Sequence, residues 1–347
     1  MSFLLKNRKI GDSEPVYIIA EMSGNHAGSL ENALSIVRSA KESGADCIKI
    51  QTYTPDTMTI NSDKEWFKIG KGTWEGDTLY KLYQKAYTPW EWQARLKEEA
   101  DKIGIDFLST PFDKSAVDFL EALGVTCYKI ASFEVVDLPL IKYVASKNKP
   151  IIMSTGNATL GEIEEAVGAI RAAENNQICL LKCSSAYPAI PEDMNLATIK
   201  HLSETFNVIA GLSDHSMGSA TAVMSVAMGA KIIEKHFTIS RKIKNPDASF
   251  SMEPQEFKKM VEDIRIAEKS IGRVSYDISE KEKESLIFRR SLFVVEDIAE
   301  GEAFTEKNVR VIRPGYGLKP KYFEEVIGKK ALTNIERGTP LSWSMIK

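Results

Sequence analysis

The chain lacks the features that mark secreted, membrane-bound and nucleic-acid-binding proteins. Its apolar run near the N-terminus is only Phe3-Leu4-Leu5, short of the roughly seven residues of a signal-peptide core. No stretch approaches the roughly 18 apolar residues of a membrane span. The formal net charge is -3 at pH 7, whereas nucleic-acid-binding modules usually carry a basic patch. We therefore expect a cytoplasmic protein that acts on small molecules, with no nucleic-acid or membrane partner.

Cysteine and histidine are both scarce, with four of each in 347 residues. The cysteines lie in or beside apolar runs rather than in paired, loop-rich spacings, which is typical of reduced core residues. The spacing of Cys179 and Cys183 is one that a zinc site can use, but no second pair accompanies them. The sequence therefore favours a core role for Cys47, Cys127, Cys179 and Cys183.

Eight short apolar segments recur along the chain with helical stretches between them. Most are nearly continuous apolar runs, as expected for strands buried on both faces of a parallel sheet. Eight such units favour a (β/α)8 TIM barrel over a doubly wound sheet. The predicted strands are residues 16–21, 47–51, 105–110, 127–132, 150–154, 178–183, 208–213 and 231–237.

The pattern predicts two domains. Residues 1–276 form the barrel, and its last helix has apolar residues from Phe257 to Ile271 at three- and four-residue steps, between Pro254 and Gly272. Residues 277–288 are a charged linker, and residues 289–347 are a small mixed domain with many glycines and prolines. The segment 55–87 is too long for an ordinary connection and is a candidate lid.

Polar or ionisable residues stand at nearly every predicted strand end, including two of the four histidines. Because the C-terminal ends of barrel strands converge on one face, such residues become neighbours around a single pocket. The set is Glu21, Lys49, Gln51, Thr110, Lys129, Ser132, Glu134, Ser154, Lys182, Ser213, His215 and His236.

These residue types indicate the chemistry of the predicted pocket. Lys49 and Lys129, with the neighbouring hydroxyl groups, suit a small phosphorylated, carboxylated anion. The two imidazoles, completed by water, suit a divalent transition metal such as Mn2+, which can polarise a carbonyl oxygen or activate water. Glu21 is a candidate proton acceptor or partner of the metal-bound water. Asp214 and Glu234 either support the metal ligands or are purely structural.

Several ordered motifs resemble the signatures of the sialic acid synthase family. The tail, in Val311-Ile-Arg-Pro-Gly-Tyr-Gly317 and Ile327-Gly-Lys-Lys330, is similar to the antifreeze-like (SAF) domain that follows the barrel of those enzymes. The barrel motifs are Glu21-Met-Ser-Gly-Asn-His-Ala-Gly28, Lys49-Ile-Gln-Thr52, Leu108-Ser-Thr-Pro-Phe112, Lys129-Ile-Ala-Ser132, Ser154-Thr-Gly156, Gly211-Leu-Ser-Asp-His215 and Glu234-Lys-His-Phe-Thr238.

The resemblance implies an enzyme that condenses phosphoenolpyruvate with an open-chain N-acetylated sugar aldehyde, giving a nine-carbon 2-keto acid and phosphate by C–O cleavage. It implies that His215 and His236 hold a divalent metal, Mn2+ or alternatively Mg2+ or Co2+, which binds and polarises the aldehyde oxygen. Glu21 would sit beside the water that attacks C2, as a base or only as its orienter. The implied phosphoenolpyruvate ligands are Lys49, Thr110, Lys129, Ser132, Ser154 and Ser213, and the implied sugar ligands are Gln51, Glu134, Tyr187, Asp247 and Arg313.

The arginine of the C-terminal tail, Arg313, bears on the oligomeric state. In similar proteins the residue that corresponds to Arg313 reaches into the site of the partner subunit, so the resemblance implies a domain-swapped homodimer in which Arg313 also belongs to the catalytic set.

The sugar substrate is predicted from the positions at which this sequence departs from the usual motifs of the family. Lys182, Ser185 and Ala186 differ from those motifs, and residues 72–80 and 86–90 are more similar to the pseudaminic acid synthases of the family. Those act on 2,4-diacetamido-2,4,6-trideoxy-L-altrose, whose C6 methyl an apolar lid residue such as Trp74 would favour. The alternatives are an N-acetylneuraminate or legionaminate synthase, a metal-dependent pyruvate aldolase and, from the tail alone, a carbohydrate- or ice-binding protein.

Overall fold

The computed structural model of the chain describes residues 2–6, 8–71 and 74–347. Gly72 and Thr73, which open the motif at 72–80, lie outside the described residues. The chain divides into two compact units, Met1–Gly272 and Arg273–Lys347. The predicted domain bounds at residues 276 and 289 stay a prediction.

The first unit is a closed barrel of eight parallel strands, which confirms the (β/α)8 prediction. An antiparallel hairpin of β1 (Ser2–Leu5) and β2 (Arg8–Gly11), which the sequence did not predict, precedes the barrel. The barrel strands are β3 (Tyr17–Glu21), β4 (Cys47–Thr52), β5 (Asp106–Pro111), β6 (Tyr128–Ile130), β7 (Ile151–Ser154), β8 (Ile178–Cys183), β9 (Ile209–Asp214) and β10 (Ile232–His236).

Helices follow the barrel strands, and capping residues fix several of their ends. Asp113 caps one N-terminus by accepting hydrogen bonds from the backbone. Gly104 and Gly124 end two helices in the left-handed conformation that glycine adopts without strain. The helices of this unit are α1 (Leu30–Glu42), α2 (Pro55–Met58), α3 (Leu79–Ala86), α4 (Trp90–Ile103), α5 (Lys114–Leu123), α6 (Leu138–Ala145), α7 (Leu160–Ala172), α8 (Thr198–Phe206), α9 (Ala220–Ala227) and α10 (Pro254–Ile271).

Helix α10 tests the predicted periodicity. Its bounds are those expected, and Phe257, Met260 and Ile264 are fully buried. Ile271 departs from the prediction, because it is 55% exposed. It is the last residue of the helix, where the periodic face no longer has the barrel wall beside it.

Side chains along each barrel strand point alternately outward, toward the helices, and inward, toward the interior of the barrel. Outward residues such as Ile18 and Ile48 belong to the large core between strands and helices. Inward residues such as Tyr17 and Ile19 form a separate cluster, which includes Phe3 of the hairpin, so the hairpin packs against the N-terminal end of the barrel. Because side chains alternate with a period of two, the residues two and four positions further along each strand also point inward. Those are the polar strand ends.

The second unit has its own small core. Helix α11 (Glu280–Glu284) begins it, the antiparallel pair β11 (Ser291–Val294) and β12 (Val309–Ile312) forms its sheet, and α12 (Phe323–Val326) follows. Buried residues such as Phe304 pack between these elements.

Within the described part of the chain, no helix combines the length and the hydropathy that crossing a bilayer requires.

Candidate active site

A cavity of about 50 Å3 lies at the C-terminal ends of the barrel strands. Ala131 and Glu234 line it together with most of the residues that the sequence predicted. Those brought together here are Glu21, Lys49, Gln51, Thr110, Lys129, Ser132, Ser154, Tyr187, Ser213, His215 and His236.

Two lysines and two glutamates form a buried network in this cavity. The Lys49 Nζ lies 2.7 Å from Glu21 Oε2 and 3.4 Å from Glu234 Oε1, and it donates a hydrogen bond to Thr110 Oγ1 at 3.3 Å. The Lys129 Nζ lies 3.7 Å from the same Glu234 oxygen. Among the described residues, Glu234 therefore forms ion pairs with both cations, whereas Glu21 pairs with Lys49 alone.

The two carboxyl groups of this network differ in the direction in which their pKa is shifted. Burial raises the pKa of Glu21, and the ion pair with Lys49 only partly offsets that effect. Burial also acts on Glu234, but Lys129 and Lys49 together lower the pKa of that carboxyl overall. Glu234 therefore favours its ionised form more strongly than Glu21 does.

Hydroxyl and amide groups complete the polar wall. Lys129 Nζ donates to Ser154 Oγ at 2.7 Å, and the backbone N–H of Gly156 donates to Ser132 Oγ at 3.1 Å. Any Cβ at position 156 would collide with the hydroxyls of Ser132 and Ser185, so only glycine lets the backbone approach this closely. Cationic and neutral donors in one buried pocket are suited to a small polyanion.

Two imidazoles form the opposite wall, with ring centroids 5.3 Å apart. The Nδ1 of His215 lies 2.8 Å from the Ser184 carbonyl oxygen. Because a carbonyl oxygen only accepts, Nδ1 carries the hydrogen, and the Nε2 lone pair of the neutral ring is left for another ligand. The Nδ1 of His236 is buried and has no hydrogen-bond partner among the described residues.

Both imidazoles fit a metal site to which the protein contributes two ligands. Burial, reinforced by His215 and Lys49, lowers the pKa of His236, so this ring is neutral and able to coordinate. Burial by itself would lower the pKa of His215, but Cys183 and the Ser184 carbonyl raise it overall. In the described residues no three His, Cys, Asp or Glu side chains are grouped to hold an ion. Water or substrate would therefore complete the coordination of a divalent metal.

Aromatic side chains stand beside the imidazoles. The Tyr187 ring lies 4.2 Å from His215 and 5.2 Å from Phe250, centroid to centroid. Trp74, from the candidate lid, lies 5.5 Å from Tyr187, and its Nε1 donates to the Pro246 carbonyl at 3.0 Å. One side of the mouth is therefore apolar.

Three of the residues that the family resemblance implies as sugar ligands lie outside the cavity lining: Glu134, Asp247 and Arg313. Burial raises the pKa of Glu134 to about 7, partly offset by Lys129, and Glu134 Oε2 has no hydrogen-bond partner in the described residues. Asp247 accepts a hydrogen bond from the Gly24 N–H at 2.8 Å. Arg313 is exposed in the second unit, directly after β12.

Two polar residues at strand ends, Lys182 and Asp214, turn away from the cavity, and Lys182 corrects the expectation that all the listed strand-end residues surround one pocket. Lys182 does not line the cavity, because it has the outward parity on β8, and its Nζ donates to the Cys183 carbonyl oxygen. Asp214 is likewise outward and forms a buried ion pair with Lys235, with 2.7 Å between Nζ and Oδ2. Asp214 therefore has a structural role.

Two residues at the site were missed or left open by the sequence analysis: Glu234 lines the cavity, and Cys183 lies beside His215. Glu234 joins both lysines, and the Sγ of Cys183 lies 3.8 Å from His215 Nδ1. The signal was available, since Glu234 is two residues before His236 and Cys183 is two residues after the inward Leu181.

A (β/α)8 barrel with two buried lysines and two neighbouring imidazoles at the C-terminal ends of its strands has the arrangement of an enzyme active site. Comparison with known proteins gives the particular family. Residues 36–276 match the model of the NeuB family, and residues 289–347 match that of the SAF domain. The chain belongs to the NeuB family, which confirms the predicted resemblance.

Relatives cover nearly the whole chain. A pseudaminic acid synthase from Campylobacter jejuni is 48% identical over 95% of this chain and 96% of its own length, and one from Helicobacter pylori is 46% identical over 95% and 97%. A crystal structure of an N-acetylneuraminic acid synthetase from Leptospira borgpetersenii superposes with a TM-score of 0.74 and 33% identity, over 82% of this chain and 95% of that one.

Proposed function

We propose that this protein is a pseudaminic acid synthase that condenses phosphoenolpyruvate with 2,4-diacetamido-2,4,6-trideoxy-L-altrose and water to give pseudaminic acid and phosphate. The observation that carries the proposal is the identity of 46–48% with pseudaminic acid synthases over 95% of the chain. Identity with the N-acetylneuraminic acid synthetase is lower, at 33%.

The reaction makes one carbon–carbon bond and breaks one carbon–oxygen bond. C3 of phosphoenolpyruvate attacks the aldehyde carbon, and the aldehyde oxygen takes up a proton. Water adds to C2 and loses a proton, and phosphate leaves with the bridging oxygen. The site must therefore bind two anionic groups, activate the aldehyde and handle the protons of the water.

Lys49 and Lys129 are the proposed ligands of the phosphate and carboxylate groups, with neutral donors around them. Their positive charge acts in a buried site, where electrostatic attraction is stronger than in water. The hydroxyl groups proposed to complete this binding are those of Thr110, Ser132, Ser154 and Ser213.

Glu21 is the proposed proton acceptor for the water that adds to C2. Burial raises the pKa of this carboxyl, and a base with a pKa near the working pH is the most effective. The ion pair with Lys49 and the hydrogen bond from Gln51 at 2.8 Å hold the carboxylate in one orientation.

His215 and His236 are the residues that would hold the metal, for which we propose Mn2+ with Mg2+ or Co2+ as substitutes. When bound there, a divalent ion supplies Lewis acidity toward the aldehyde oxygen. Two imidazole nitrogen ligands, with the remaining positions open, fit that use.

The sugar is proposed to lie between the apolar side of the mouth and the carboxylates. Trp74, Tyr187 and Phe250 suit the C6 methyl and the acetyl methyl groups, whereas Gln51, Glu134 and Asp247 suit the N–H and O–H donors. Arg313 is proposed to reach the sugar from the neighbouring subunit of a domain-swapped homodimer, which its exposure in the second unit supports.

The deciding experiment measures phosphate release from phosphoenolpyruvate with each candidate sugar. We expect turnover with 2,4-diacetamido-2,4,6-trideoxy-L-altrose and at most slow turnover with N-acetylmannosamine or the legionaminate precursor. A clear preference for either of the other sugars would contradict the proposed substrate. Consumption of pyruvate without phosphate release would indicate an aldolase instead.

A further inference from the structure

Ser23 holds a backbone conformation that is unfavourable for a serine. Strand β3 ends at Glu21, and Ser23 opens the short 3-10 turn Ser23–His26 with φ at +45°. This left-handed region favours glycine and penalises a residue with a Cβ. The side chain is nonetheless buried, at 8% exposure. Strain of this kind persists where the surrounding structure or a functional need maintains it.

The Ser23 hydroxyl lies between two proposed sugar ligands. Gln51 Nε2 donates to Ser23 Oγ at 3.1 Å. The Asp247 carboxylate accepts a hydrogen bond from the backbone N–H of the next residue, Gly24, at 2.8 Å. Burial raises the pKa of Asp247, and the neighbouring Ser23 hydroxyl partly offsets that effect. Ser23 and Asp247 follow β3 and β10, Gln51 lies in β4, and these three strands are neighbours in the barrel. The Ser23 side chain therefore lies where three neighbouring segments of the chain meet at the mouth of the site.

These bonds also fix which end of the Gln51 amide faces the cavity. Its Nε2 donates to both Glu21 Oε1, at 2.8 Å, and Ser23 Oγ. An amide nitrogen has two hydrogens, so both are committed and Oε1 is the end left to accept. The Asp247 carboxylate also only accepts when ionised. The Gln51 Oε1 and the ionised form of Asp247 thus present acceptors, which match the N–H and O–H donors of an acetamido sugar.

We infer that Ser23 is a positioning residue of the sugar site, whose hydroxyl orients the Gln51 amide and the Asp247 carboxylate at the expense of a strained backbone. The inference rests on the proposed function, because that function makes Gln51 and Asp247 sugar ligands. Ser23 acts through these two residues and does not touch the phosphoenolpyruvate side of the cavity.

Two substitutions separate the hydroxyl from the backbone strain. Ser23→Ala removes the hydroxyl and keeps the Cβ, whereas Ser23→Gly removes both and lets the turn relax. We expect each variant to raise KM for the sugar about tenfold, since a hydrogen bond to a charged or fixed partner is worth about that factor. KM for phosphoenolpyruvate should stay within twofold. Ser23→Gly should also melt at the same or a higher temperature than the wild type.

Ala27 provides a matched control, because it ends the same turn with φ at +51° and has no hydroxyl to lose. Ala27→Gly relieves comparable strain, so it should leave both KM values unchanged. If both Ser23 variants kept the wild-type KM for the sugar, or if KM for phosphoenolpyruvate rose equally, the inference would be wrong.

Calorimetric titration of the reduced, open-chain sugar measures the same effect without turnover. Loss of affinity in the Ser23 variants but not in Ala27→Gly supports the inference, and equal affinity overturns it. Failure of the proposed function is a separate result, namely a wild-type protein that neither binds nor converts the diacetamido sugar. The variants are then compared with whichever N-acetylated sugar the wild type accepts.

Discussion

His215 and His236 face each other across adjacent strands, with their ring centroids 5.3 Å apart. The register of β9 and β10 pairs Asp214 with Lys235, so the next residues along both strands are the two histidines. Strand pairing thus brings together two imidazoles that are 21 residues apart in the sequence.

Replacing either histidine should abolish metal-dependent turnover. His215→Ala and His236→Ala each leave a single protein ligand, so we expect at least a hundredfold loss of kcat together with loss of bound metal. The check is phosphate release and the metal content after dialysis. A chelator should reproduce the loss in the wild type, and Mn2+ should restore it. The control is His201→Ala, because His201 is exposed on α8. Full activity of the chelated enzyme would remove the metal from the proposal.

Lys129→Met should weaken phosphoenolpyruvate binding selectively. The ammonium is 2% exposed and contacts Ser154 and Glu234, and loss of a buried charge-assisted contact should raise KM for phosphoenolpyruvate about a hundredfold. Steady-state kinetics with each substrate varied in turn measures this. Lys182→Met is the matched control, and an equal effect there would contradict the assignment of the cavity.

Glu134 should make the protein less stable as the pH rises. Its pKa is raised from 4.5 to about 7, so between these values the folded state binds more protons than the unfolded state, and stability falls as pH increases. Glu134→Gln should therefore be more stable than the wild type above pH 7, by about 1 to 3 kcal/mol, with the difference shrinking toward pH 5. Urea unfolding at several pH values tests this. Glu165→Gln, at an exposed site on α7, should show no such trend.

Asp214→Ala should destabilise the fold rather than remove the metal. It leaves the buried Lys235 ammonium without its carboxylate, which typically costs about 3 to 5 kcal/mol. The double variant Asp214→Ala, Lys235→Met should recover part of that loss, as measured by urea unfolding. Wild-type stability combined with lost metal binding would instead give Asp214 a role at the metal.

Arg313→Ala should lower turnover and leave the melting temperature unchanged. Arg310→Ala, at an exposed position on β12, is its control. If the arginine acts in the neighbouring subunit, mixing Arg313→Ala with His215→Ala should restore about a quarter of the wild-type activity through mixed dimers. An unchanged rate for Arg313→Ala would take the tail out of the mechanism.

The barrel and most of its site were predictable from local patterns. Apolar runs with polar ends define eight strands, and convergence of strand ends in a barrel then brings Lys49, Lys129, His215 and His236 into one cavity. The hairpin of β1 and β2 was not predictable, because its few apolar residues gain stability only by packing against the barrel end.

The sequence by itself determined the strand count, the family motifs and the chemical types of the site residues, since these depend on composition and spacing. Only the tertiary structure decided that Glu234 lies within 4 Å of both Lys49 and Lys129 and that Asp214 pairs with Lys235, because these contacts join side chains from different strands and depend on register and barrel closure. The same holds for Ser23, because its neighbours Gln51 and Asp247 are distant in the sequence and because nothing about a serine predicts a left-handed backbone.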